Sequence, residues 1–184
     1  MKPNLCIAII FPFFILWNQT QQAGIDFTMI SAKAVTGENP YACVGDIKMP
    51  NGFSRTSSEK NSFAAWLRTL QLKKSKIVYL YNGLPKRNQT AQFAVLNISI
   101  GNKDLQQCAD AVMRLRAEYL YAQKRFGEII FRDNNSKEYK LGVPIDRKHF
   151  DKYLNYVFAR CGTLSLEKQL KPLNNLSNLH PEMS

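Results

Sequence analysis

DLQQCADAVMRLRAEYLY, Asp104 to Tyr121, is the stretch on which the reading of this chain turns. At about 100° per residue, Leu105, Cys108, Ala109, Val112, Leu115, Tyr119 and Leu120 form one apolar stripe, which predicts a long amphipathic helix over roughly 103–125. Asp110, Arg114 and Glu118 fall on the opposite side, four apart, as a solvated ladder of charge. Two residues do not suit an apolar face. Arg116 lies near the middle of the stripe, where a guanidinium needs a carboxylate, carbonyls or an anionic ligand around it; Asp46 or Asp104 is the expected partner. Cys108 lies one turn after Asp104, a suitable N-cap, where the positive end of the helix dipole favours thiolate. A free cysteine is equally at home as a small core hydrophobe, and an inward arginine often closes a structural ion pair.

Outward from the helix, the runs change period. KIVYLYN (Lys76–Asn82) and QFAVLNISI (Gln92–Ile100) are rich in β-branched and aromatic residues and read as strands, separated by a turn at Gly83–Pro85. EIIFR (Glu128–Arg132) is a third strand, and KEYKLGV (Lys137–Val143) pairs with it as an edge across the turn Asp133–Ser136. Met49–Phe53 is a turn, with Pro50 and Gly52 placed for a tight reversal. Ser62 caps a helix from Phe63 to about Leu70. Asp146 caps another from Arg147 to about Ala159, with Phe150, Leu154, Val157 and Phe158 inward. Thr163 caps a last one through Leu170, which Pro172 stops. The order of elements predicts an α+β fold: a small antiparallel or mixed sheet packed on a long central helix, with two further C-terminal helices.

The 184 residues, 45% of them hydrophobic, suit one domain with terminal extensions. Lys2 followed by the uncharged run Leu5–Trp17 has the form of a signal peptide, so residues 1–23 read as a leader and export is expected. Residues 24–44 read as a linker without a clear period, 45–172 as the domain, and 173–184 as a frayed tail. No stable membrane span is expected beyond the leader. Outside the leader, Cys43, Cys108 and Cys161 close no disulfide framework and match no zinc spacing, so no metal or cofactor is expected. One disulfide is an alternative in an oxidising compartment, with Cys108 as the free thiol. The formal charge is +11, concentrated at Lys73, Lys74 and Lys76, at Lys86 and Arg87, and at Arg147 and Lys148. Such a surface attracts anionic polymers. No nucleic-acid motif accompanies it, so an acidic cell-envelope polymer or peptide is the expected partner.

MPNGFSR, SFAAWLRTLQLK, VYLYNGLPK, the long helix segment and YLNYVFARCGTLSLEKQLKP together resemble a bacterial exported family catalogued as domain of unknown function 4846, over about Ile47 to Leu173. The resemblance implies a longer fold, of which this chain is the amino-terminal half, that continues into a strand-rich part with a Gly-His strand. A cysteine on an early helix followed by such a strand is similar to papain-like and cell-wall amidases, in which thiolate attacks an amide carbonyl and histidine carries the proton. By that analogy Cys108 is the candidate nucleophile and Gln107, Arg116 and Glu118 are candidate pocket residues. His149, in a predicted helix, and His180, in the tail, are poor bases, so the truncated chain is expected to be inactive. The alternative is a non-catalytic cell-envelope binding or interaction domain with a basic surface. The expected location is the periplasm or cell envelope of a bacterium.

Overall fold

The computed structural model describes residues 38–170. The leader, most of the linker and the tail lie outside the described residues.

The fold is α+β. In chain order it holds helix α1 (Phe63–Thr69), helix α2 (Cys108–Ala122), strands β1 (Ile130–Arg132) and β2 (Glu138–Lys140), and helices α3 (Arg147–Phe158) and α4 (Thr163–Glu167). Short 3-10 turns occupy Val44–Asp46 and Phe126–Glu128. β1 and β2 form an antiparallel hairpin in which Phe131 faces Tyr139. Its turn is held by Asp133, whose Oδ1 accepts from the backbone of Asn135 and Lys137.

Local chemistry sets the helix starts. Ser62 Oγ accepts from Ala65 N at 3.2 Å and Asp146 Oδ1 accepts from His149 N at 2.8 Å, as N-caps do. Turn Met49–Phe53 closes with Phe53 N donating to Pro50 O, and Gly52 takes the left-handed φ of +84° that this reversal requires. The last helix differs from expectation. Gly162, not Thr163, is its N-cap residue, because Ser165 Oγ accepts from Gly162 N, and the helix ends at Glu167.

The core lies between α2, the hairpin and α3. Met113, Ala117, Leu120, Ile129, Phe131, Phe150, Leu154 and Val157 are buried together, with Leu166 of α4 and Phe63 and Trp66 of α1 against them. Cutting Phe150 to alanine would cost about 3–5 kcal/mol on this packing. Tyr153 ties the layers, its hydroxyl donating to Tyr139 O at 2.9 Å and lying 3.1 Å from Ile129 O.

Two expectations are corrected. The first concerns segments 76–82 and 92–100, which are not strands of a sheet. Isolated bridges, Leu72 with Leu96 and Tyr79 with Pro85, are the pairing there. Glutamine side chains take the place of a neighbouring strand: Gln89 accepts from Val78 N and donates to Val78 O, both at 2.9 Å, and Gln92 donates to Lys76 O. A backbone satisfied by side chains needs no ladder.

The second is the orientation of α2, whose buried face is turned by about a third of a revolution from the one that apolar counting selects. Ala109, Asp110, Met113, Arg114, Ala117, Tyr119 and Leu120 are buried, whereas Cys108 is exposed and Val112 is 50% exposed. Asp110 and Arg114 are thus interior, not a solvated ladder. The physical reason is pairing across helices. Arg114 Nε meets Glu118 Oε1 at 2.7 Å, and Arg147 of α3 grips the same carboxylate, so the charges enter the fold already matched.

Candidate functional site

The helix begins at Cys108, five residues later than expected. Gln107 is its N-cap, its backbone N–H donating to Asp110 Oδ2 at 2.9 Å, and Cys108 is the first helical residue. Asp104 is exposed and takes no part in the cap. Cys108 is exposed and its thiol is free. Its thiol does not line the groove formed around Val78 and Val95; Ala111, Arg114 and Leu115 represent α2 there.

The four candidate residues are not drawn into one place. Gln107 and Cys108 are neighbours at the start of α2. Glu118 lies ten residues on, about 15 Å along the axis. Its carboxylate is committed to Arg147, through Nη1 at 2.8 Å and Nη2 at 2.7 Å, and to Arg114. Burial alone would raise the Glu118 pKa, but the Arg147 hydrogen bonds and the Arg114 and Arg147 charges outweigh it and hold the group below the ordinary range. Arg116 is half-buried and enclosed neither by Asp46 nor by Asp104. Asp46 accepts from Ala42 N and Cys43 N, and the carboxylate that feels Arg116 is Glu128. His149 is exposed on α3, with Nδ1 3.5 Å from Asp146 Oδ2.

Cys43, Cys108 and Cys161 are all free thiols. Cys161 is buried, and burial pushes its pKa up to about 11, which keeps it a protonated core residue. Asp110 is likewise raised, to about 6, by burial, with Oδ1 unpaired. Among the described residues no group of three His, Cys, Asp or Glu is placed to hold a metal ion, and no helix is long and apolar enough to cross a membrane.

The feature that sequence reading located only in part is a broad trough along α3, with a volume of about 1130 Å³. Lys103, Lys148, Lys152 and Arg160 line it, and none of them meets a carboxylate among the described residues. Arg147 and Asp151 also line it but neutralise each other, with Nη2 to Oδ1 at 2.9 Å. Arg160 stacks over the Tyr156 ring at 3.5 Å, and Leu141, Val143 and Tyr153 give the floor an apolar character. The Arg147-Lys148 pair is visible as a basic cluster in the sequence. The fuller signal was available too: Lys148, Lys152 and Tyr156 recur every four residues, which puts them in one row on a helix.

A family profile described as Domain of unknown function (4846) matches residues 44–142. Nothing matches the chain among the curated proteins or the solved structures. The matched segment runs from the Val44 turn through α1, α2 and the hairpin, more than half of the sequence, and the chain therefore belongs to the domain of unknown function 4846 family.

Proposed function

We propose that this chain is a non-catalytic binding module, which holds an anionic polymer of the bacterial cell envelope along the α3 trough. The observation that carries the reading is the row of cations without acidic partners, Lys103, Lys148, Lys152 and Arg160, beside the exposed Tyr156 ring. Lysine ammonium groups are mobile point charges that follow a flexible chain of phosphate or carboxylate without demanding one geometry. The aromatic and aliphatic floor suits the sugar or alkyl backbone between those charges. Export to the envelope, as the leader-like sequence of residues 1–23 suggests, would bring the module to such polymers.

Cosedimentation with cell-wall sacculi tests the reading. Sacculi that keep their anionic polymers should pull the protein down, and the same sacculi after acid extraction of those polymers should not. Equal recovery on both would refute it.

A second reading keeps Cys108 as the nucleophile of an amide hydrolase in a more complete fold. The observation favouring it is exposure of this thiol on the first turn of the longest described helix. Its base would come from outside the described residues. Loss of amidase activity in a Cys108→Ser variant with unchanged stability would support it.

A further inference from the structure

A second groove, of about 210 Å³, lies between segments 77–80 and 95–101 and the face of α2 that carries Ala111 and Leu115. It shares no lining residue with the α3 trough, so what it binds is independent of that reading. Its walls are aliphatic: Val78 and Leu96 are buried, while Ile98, Ile100 and Leu115 keep part of their surface uncovered. Lys73 and Arg114 interrupt these walls, and no Asp or Glu is among the described residues lining them. Lys73 is half-buried and makes no ion pair among the described residues. The side chain of Arg114 is only 8% exposed, yet Nε alone donates a hydrogen bond, to Glu118. Nη2 stands 3.8 Å from Asp151 Oδ1, beyond hydrogen-bond reach, and Nη1 has no acceptor among the described residues. A guanidinium this deep with its Nη1–Nη2 edge unmatched is short of acceptors. Such an edge takes a carboxylate through two parallel hydrogen bonds.

We propose that this groove binds a small aliphatic carboxylate, with its two oxygens on the Nη1–Nη2 edge of Arg114 and its alkyl chain against Val78, Leu96, Ile98 and Leu115. Glu118 and Asp151 already balance Arg114 and Arg147, so the charge that the ligand brings is offset by Lys73. The size of the groove sets the length of the chain. An apolar cavity of about 150 Å³ holds benzene, so one of about 210 Å³ takes roughly eight heavy atoms, those of hexanoate. Burial of the chain supplies affinity in proportion to its apolar area. The arginine fork supplies the choice of an acid over an alcohol.

Titration of the full chain with hexanoate at constant ionic strength, followed by amide chemical shifts, tests it, with hexanol and acetate as the paired probes. Hexanoate should shift the Ile98, Ile100, Ala111 and Leu115 amides saturably and bind at least tenfold more tightly than either probe. Arg114→Lys keeps a positive charge beside Glu118 but removes the fork, and should weaken hexanoate at least fivefold while leaving hexanol unchanged. If that variant does not fold, Ile98→Trp, which fills the groove from its half-buried wall, should weaken hexanoate at least tenfold with the Met113 and Leu120 amides unshifted. Equal affinity for hexanol would overturn the proposal, because the groove would then be merely apolar. Equal affinity for acetate would overturn it too, leaving an adventitious ion only. So would the absence of saturable shifts at these amides, or shifts confined to Lys148 and Lys152 on the trough.

Discussion

Arg147 holds Glu118 with both terminal nitrogens of its guanidinium, at 2.8 and 2.7 Å, and so fixes the turn of α3 against α2. The same carboxylate accepts from Arg114 Nε, so one acid on α2 serves two arginines, one of them buried. Asp151 completes the charge balance from α3.

Removing that acid should therefore destabilise more than a surface ion pair would. Glu118→Gln leaves Arg114 interior without its carboxylate and should cost about 2 kcal/mol, below the range for fully buried pairs because Arg147 reaches water. The sign with pH follows from the lowered pKa of Glu118. Its stabilisation is full above the ordinary glutamate value and is lost as pH falls through the depressed folded-state value. Urea unfolding of the parent and Glu118→Gln should show the gap at pH 7 narrowing progressively below pH 4.

Asp110 should behave in the opposite way. Its carboxyl is raised from 3.8 to about 6 by burial, so the folded chain carries a penalty that is absent below the unfolded-state value and complete above pH 6. Asp110→Asn keeps an oxygen for the Gln107 N–H while removing the charge. Relative to the parent, the variant should gain about 1–3 kcal/mol between pH 4 and pH 7.5. A variant whose relative stability does not change across that interval would contradict the buried-carboxylate account.

How much of this was legible in the sequence depended on where each residue's partner lies. Ser62 and Asp146 bond within three residues of themselves, so their caps were readable, as were the Asp133 turn and the inward row Phe150, Leu154, Val157 and Phe158. Arg114 is matched by a network that includes residues of α3, some thirty positions away, and this turns the buried face of α2 away from the one that a count of apolar residues selects. Gln89 reaches eleven positions back to take both backbone groups of Val78, which turns a strand-like run into isolated extended chain. Of the candidate site residues, the sequence placed Cys108 close to the start of α2, but it could not show that Glu118 is occupied.

The three thiols should react in an order set by exposure. Native alkylation with iodoacetamide, read by peptide mass spectrometry, should modify exposed Cys108 first, partly covered Cys43 next, and Cys161 only on unfolding. Modification of Cys161 before Cys108 would require a different seating of α4 on the core.

The central claim is that the α3 trough, and not the general positive charge of the chain, binds anionic polymer. Its most direct measurement is an equilibrium titration with polyglycerol phosphate of three proteins: the parent, Lys148→Glu/Lys152→Glu, and Lys86→Glu/Arg87→Glu as an equal change of charge elsewhere. The account predicts that the trough variant loses at least tenfold in affinity, that the control loses less than threefold, and that binding by the parent weakens steeply with added salt. Equal losses in the two variants, or no loss in either, would contradict it.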